Sequence, residues 1–153
     1  MPTYNRSNTI ERAVSSIKKQ TYSDWELIVV DDASEDNTES IIEKISSQYD
    51  RIQYIKNGKN SGPAYSRNVG IKYSQGEYIA FLDSDDEWYD YHLEECINLL
   101  KNTNYKICSA LWIEENKNLC IDISKSEWFD HSAKQMSKDL NFDLSDKVWL
   151  FVY

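Results

Sequence analysis

The chain is short of cations, histidine, cysteine, glycine and proline. Seventeen Lys and Arg stand against 26 Asp and Glu, a net charge of -9 over 153 residues, so a broad attraction to DNA, RNA or anionic lipid has no electrostatic basis. No nucleic-acid partner is expected, and an anionic substrate needs a local metal to offset the field. His92 and His131 are isolated and lack metal-ligand spacing, which assigns them to surface or core. Cys96, Cys108 and Cys120 are odd in number and widely spaced. They read as reduced, mostly buried thiols rather than a disulfide framework, and this favours the cytoplasm. No segment approaches the ~18 apolar residues of a membrane-spanning helix, and Met1-Pro2-Thr3-Tyr4-Asn5-Arg6 does not lead into a signal peptide's apolar region. Membrane association is not evident, so the expected location is the cytoplasm, or the inner face of the membrane for a longer protein. No linker, repeat or low-complexity tract divides the chain, and its length suits one domain with a sizeable core.

What is present is a regular alternation of helical and extended apolar patterns. Asn8 reads as the cap of a first helix with Glu11 as its capping-box partner, and Ile10, Ala13, Val14 and Ile17 fall on one face up to about Gln20. Residues 25–30 form a short apolar run suited to a strand buried on both faces, followed by a helix with Ile41, Ile42, Ile45 and Tyr49 on one side. Residues 51–56 read as a third extended element. A loop over 57–62 leads to Pro63, which suits the first turn of a helix ending near Gly76. Residues 77–83 form the next strand, Leu93, Cys96, Ile97 and Leu100 mark another helix, and 106–113 is extended. Strands alternating with helices predict an α/β fold with a mostly parallel sheet covered on both faces. Past Glu114 the pattern weakens: Asn116-Lys117-Asn118 reads as a hairpin turn, 125–139 as a modest helix, and the apolar run 148–153 receives no role. Only residues 1–4 precede the first helix, so the chain is expected to begin at the end of its first strand, as an internal piece of a longer protein would.

Two apolar runs end in acids: Leu27-Ile28-Val29-Val30 in Asp31-Asp32, and Tyr78-Ile79-Ala80-Phe81-Leu82 in Asp83-Ser84-Asp85-Asp86. Carboxylates just past the carboxyl ends of buried strands line the crevice where open α/β sheets bind ligands. An acid after the first run can accept hydrogen bonds from a base or a ribose, or the segment can be loop and cap chemistry alone. Asp83 and Asp85 are the sharper pair. Two carboxylates about 5 Å apart repel by about 3 kcal/mol at an effective dielectric of 20, so a site that keeps both ionised wants a cation. Hard oxygen ligands select Mg2+ or Mn2+, bridged to a diphosphate. Arg67, near the start of the helix after Pro63, can meet phosphate or tie two acidic loops together. Trp128, Phe129, Trp149, Phe151 and Tyr153 can form a sugar platform or, more commonly, core.

Taken together these segments resemble the family 2 glycosyltransferases of the GT-A fold. The match runs in order and register through Pro2-Thr3-Tyr4-Asn5-Arg6, Gln20-Thr21-Tyr22, Val30-Asp31-Asp32-Ala33-Ser34 with Asp36 and Thr38, residues 60–71, and Gly76-Glu77-Tyr78-Ile79-Ala80-Phe81-Leu82-Asp83-Ser84-Asp85-Asp86. The resemblance covers about the first 100 residues. It implies metal-dependent, inverting transfer of a sugar from a nucleotide-diphosphate-sugar, expected to be a UDP-sugar, to a carbohydrate or lipid-linked acceptor hydroxyl in polysaccharide or glycan synthesis. It places Thr3 and Tyr4 beside the nucleoside and Asp32 on the base, with Arg67 and Ser84 in the donor pocket. Asp83 then holds ribose or metal, and Asp85 is the main metal ligand, with Mg2+ or Mn2+ as cofactor. Residues 1–113 become the donor-binding part and 114–153 the incomplete start of the acceptor side.

Two departures accompany the resemblance. The family's first strand, an apolar run before the Pro-Thr-Tyr-Asn segment, is missing, and the acid that serves as general base is expected beyond residue 153. Glu114-Glu115 sits in the expected turn and is not nominated. Without a base about 10²- to 10⁴-fold of rate is lost, so a binding remnant that holds nucleotide without turnover is the alternative. A receiver-type signalling domain and an Asp-x-Asp phosphatase fit less well. The former needs a Lys at a later strand end, and in the latter Glu87 stands where Thr or Val is usual.

Overall fold

The computed structural model describes residues 1–103, the backbone of strands Ile107–Ala110, Ile113–Asn116, Leu119–Asp122 and Val148–Val152, and the side chain of Cys108. Strand β1 (Pro2–Thr3) is followed by helix α1 (Ile10–Lys18), β2 (Leu27–Asp31), α2 (Thr38–Ser46), β3 (Ile52–Lys56), α3 (Pro63–Tyr73), β4 (Tyr78–Ala80) and α4 (His92–Lys101). The further strands are β5 (Ile107–Ala110), β6 (Ile113–Asn116), β7 (Leu119–Asp122) and β8 (Val148–Val152). The alternation read from the apolar pattern is therefore present from α1 through β5.

β1, β2 and β3 form a parallel sheet in that order. Every residue of β2 is buried, as expected of a strand with neighbours on both sides. β1 is only two residues long and pairs Pro2 with Val30 and Thr3 with Asp31. A second parallel sheet has the order β4-β8-β5. The run at 148–153, to which the sequence reading gave no role, thus supplies the central strand of this sheet. Its pairing partners lie far away in sequence, which a local pattern cannot reveal. The extended stretch expected over 106–113 divides into β5 and β6. β6 pairs antiparallel with β7, with Asn116 opposite Leu119, which fits the expected hairpin. Glu114 and Glu115 therefore lie on a strand and not in a turn. The helix expected over 125–139, His131, Trp128, Phe129 and Tyr153 lie outside the described residues.

Ile10, Val14, Ile17, Leu27, Val29, Ile42, Ile52, Leu82, Trp88 and Leu93 form the main core, and burying each such side chain contributes about 1.5–3 kcal/mol. Several local expectations need correction. Asn8 does not cap α1. The Arg6 carbonyl starts the first turn, accepting from the Thr9 and Ile10 N–H groups at 3.0 and 2.9 Å. Tyr49 lies past the end of α2 and is 39 % exposed, with the Lys18 ammonium 3.9 Å from its ring centroid. β4 stops at Ala80, before the acids expected at its end. On α4, Leu93, Cys96, Ile97 and Leu100 are buried as the spacing predicted. Cys96 and Cys108 are free and buried thiols; burial and the neighbouring Cys108 push the Cys96 thiol up to about 12. His92 stacks on Trp88 with centroids 4.6 Å apart, and burial brings its imidazole down to about 4.

A cavity of about 700 Å³ opens between β2 and β4, bordered by Leu27, Ile28, Ile79, Ala80, Leu82 and Ile97. Arg67 lines it, but Asp32, Asp83 and Asp85 do not. The lining is mixed, with Glu26, Arg51, Ser66 and Gln75 set among the apolar side chains.

Candidate functional site

Three loops meet at the carboxyl ends of β1, β2 and β4. The loops after β1 and β2 are laced together by short polar side chains. Asn5 N–H donates to Ser34 Oγ at 2.9 Å, Arg6 N–H to Thr38 Oγ1 at 2.9 Å and Ser7 N–H to Asp36 at 3.0 Å. In return Asn5 Oδ1 accepts from Glu35 N–H at 2.9 Å. Asn5 and Ala33 both adopt positive φ, 51° and 65°. Asn tolerates this region, whereas the Ala33 conformation is disfavoured and is held by its surroundings. Asp36 also accepts from Thr38 N–H at 3.0 Å at the start of α2. Burial opposes its ionisation, but these hydrogen bonds outweigh it and hold its carboxyl well below the usual carboxylate range.

Asp31 and Asp32 are 0 % and 2 % exposed. Asp31 accepts from Ser34 N–H at 2.8 Å, Ser34 O–H at 2.6 Å and Tyr54 O–H at 2.8 Å. Asp32 accepts from Asn57 Nδ2 at 2.8 Å, from Ser61 N–H at 3.0 Å to each oxygen, and from Gly62 N–H at 2.6 Å. Burial raises the cost of its charge, but these donors outweigh that and lower its pKa. Gly62 has φ 88°, a value that suits glycine and turns the chain into Pro63 at the start of α3. Asp32 thereby fixes the N-terminus of α3. One turn further along, Arg67 Nη2 reaches Asp83 Oδ1 at 2.7 Å. Arg67 thus joins α3 to the loop after β4 through Asp83, one acidic loop rather than the two that a bridging role calls for.

The loop after β4 is different. Asp83 and Asp85 have side chains 45 % and 48 % exposed, with Ser84 buried between them. Asp85 Oδ2 pairs with Arg6 Nη2 at 3.2 Å. Arg12 donates to the Asp85 carbonyl at 2.8 Å and pairs with Glu87 at 2.8 Å. Burial, together with the charges of Asp85 and Asp83, raises the pKa of Asp86, as expected where carboxylates crowd. Behind the loop, Gln20 Nε2 donates to the Tyr89 carbonyl at 2.7 Å and its Oε1 accepts from Leu93 N–H at 2.9 Å. Thr21 N–H donates to the Asp90 carbonyl at 2.7 Å. The Gln20-Thr21 segment therefore anchors the acidic loop to α1.

Among the predicted site residues, Arg67 and Asp83 touch directly, and Asp85 is tied to the β1 loop through Arg6. Tyr4 is 39 % exposed; Thr3 is buried, and its Oγ1 has no hydrogen-bond partner among the described residues. Asp32 stands behind the α3 terminus. Arg6, Arg12, Asn57 and Ser61 were not singled out from sequence. A loop carrying four acids at 83, 85, 86 and 87 was the available signal that guanidiniums must face it. Asp83 and Asp85 offer the hard oxygens that suit Mg2+ or Mn2+. Among the described residues no three His, Cys, Asp or Glu side chains converge to hold a metal, so such an ion needs oxygens from a ligand and from water.

The parallel, helix-covered architecture with its acidic strand ends is that of a GT-A domain. The profile of glycosyl transferase family 2 matches residues 1–151, and the chain belongs to that family. It is 44% identical over 104 residues to the UDP-Glc:alpha-D-GlcNAc-diphosphoundecaprenol beta-1,3-glucosyltransferase WfgD of Escherichia coli, covering 68% of this chain and 40% of the relative. The structure of S. aureus TarS 1-349 in complex with UDP superposes with a TM-score of 0.70 at 28% identity, covering 82% of this chain and 38% of that one. The mannosyltransferase PcManGT from Pyrobaculum calidifontis, in complex with GDP-Man and Mn2+, gives a TM-score of 0.61 at 27% identity over 65% of this chain and 30% of that one. The chain thus spans about 40% of the length of the curated WfgD relative. Among the described residues no helix is long and apolar enough to cross a membrane. Family membership sets aside the receiver and phosphatase readings.

Proposed function

We propose that this chain forms the donor half of a metal-dependent, inverting glycosyltransferase site that takes a nucleotide-diphosphate-sugar, a UDP-sugar by preference. The observation that carries the reading is the Asp83-Ser84-Asp85 loop, whose two half-exposed carboxylates are each paired with one arginine, Arg67 on Asp83 and Arg6 on Asp85. Thr3 supports it with a buried hydroxyl that lacks a partner among the described residues, a group suited to a nucleoside. Thr3 and Tyr4 border the nucleoside, Arg67 and Ser84 line the donor pocket, and Asp83 and Asp85 hold a divalent cation. That cation supplies Lewis-acid stabilisation of charge on the departing diphosphate. Asp32 positions the α3 terminus, whose N–H groups favour an anion; a contact to the base is added to, or exchanged with, the hydrogen bonds it already accepts. The acceptor is a carbohydrate or lipid-linked hydroxyl, as the name of the E. coli relative suggests, with residues 114–153 opening the acceptor side. Calorimetry tests the reading. UDP is expected to bind only with Mn2+ or Mg2+, and Asp85→Ala is expected to abolish the metal dependence. Equal UDP binding with and without metal would overturn it.

A further inference from the structure

We propose that Arg6 is an internal counter-ion that occupies the Asp85 carboxylate in the absence of donor, gives way to the divalent cation, and then turns to the diphosphate. The proposal rests on the donor-site reading above. Arg6 has a fixed backbone and a half-exposed side chain. Its N–H donates to Thr38 Oγ1 at 2.9 Å and its carbonyl holds the first turn of α1. The guanidinium makes one contact with a side-chain oxygen of Asp85, at 3.2 Å, in a pair that is 45 % and 48 % exposed. An exposed, single-contact pair is weak and therefore exchangeable. Arg12 approaches the same loop in another way. It grips the Asp85 carbonyl and the Glu87 carboxylate, both at 2.8 Å, and leaves the Asp85 carboxylate alone. Arg67 occupies Asp83 at 2.7 Å.

Four carboxylates in the 83–87 loop thus face three guanidiniums. A divalent ion entering alone overshoots neutrality and must compete with Arg6, whereas an ion entering with a diphosphate brings its own anion. The displaced guanidinium then has phosphate oxygens to bind, a match suited to its planar fork. Arg6 therefore couples metal binding to nucleotide binding, and Arg12 sets the shape of the loop.

The two arginines predict effects of opposite sign. Mn2+ binding to the 153-residue chain is followed by the electron paramagnetic resonance signal of free Mn2+, with and without UDP. Arg6→Gln is expected to bind Mn2+ alone roughly two- to five-fold more tightly than the parent, the range a weak exposed pair allows, while the enhancement by UDP shrinks. Arg6→Lys, which keeps the charge, is expected to stay near the parent. Arg12→Gln is expected to weaken Mn2+ binding in both conditions. Parent-like or weaker Mn2+ binding by Arg6→Gln without UDP overturns the proposal alone. Absence of Mn2+ binding to the parent, with and without UDP, overturns the proposal and the donor-site reading together.

Discussion

After β2 the chain buries two adjacent carboxylates and surrounds them with donors from its own backbone, hydroxyls and an amide. After β4 it leaves Asp83 and Asp85 half in solvent, with one arginine on each. Both segments are acidic strand ends, and by composition they are hard to tell apart. Their hydrogen bonding shows that Asp31 and Asp32 organise the framework, while Asp83 and Asp85 keep oxygen lone pairs open to solvent. A buried carboxylate satisfied from within stabilises the fold only while all its partners remain. An exposed one, paired across a water-accessible gap, contributes little stability and is free to change partner.

The contrast can be broken most sharply at Asp32. Asp32→Ala removes the acceptor of the Ser61 and Gly62 N–H groups and one of the two acceptors of the Asn57 amide, and is expected to cost about 3 kcal/mol, read as a lower urea midpoint. A loss under about 1 kcal/mol would mean that the buried acid is not structural. A smaller effect is expected with pH. Asp32 and Asp36 have folded pKa values below the unfolded value of about 3.9, so the stability they contribute is present above that value and lost as pH falls through their folded pKa values. His92 acts in a higher window. Its folded pKa of about 4 lies below the ordinary 6.5, so the unfolded chain binds the proton first and stability declines as pH drops from 6.5 towards 4. Thermal melts at pH 7 and pH 5 are expected to differ, and His92→Phe is expected to remove most of that difference. The smallest effect is expected at the other acidic end. Asp85→Asn should change stability by about 0.5 kcal/mol or less, even though the donor reading gives it the largest effect on metal-dependent UDP binding. Marked destabilisation would make the two ends alike.

Much of the framework was legible because it is local. The spacing of Ile10, Ala13, Val14 and Ile17, the compact apolar run ending at Val30, Pro63 at a helix start and the periodic residues of α4 each depend on near neighbours in sequence. What was not legible depends on contacts between distant segments. β8 inserts between β4 and β5, and no local pattern distinguishes such a strand from a stray apolar run. The start of α1 is set by the turn at Asn5 and Arg6, which is laced to Ser34 and Thr38 some thirty residues away, so an Asn8 cap was a plausible but wrong reading.

The site divides along the same line. By itself the sequence determined the family, the α/β alternation and the two acidic strand ends, because hydrophobic period and ordered motifs are properties of neighbouring residues. Only the tertiary structure decided which acids face inward and which face solvent. That choice is made by Asn57, Ser61 and Gly62 closing on Asp32 from one loop, and by Arg6 of the β1 loop, Arg12 of α1 and Arg67 of α3 meeting the 83–87 loop. Burial and through-space charge, which separate these two groups of carboxylates, exist only once segments remote in the chain are brought together.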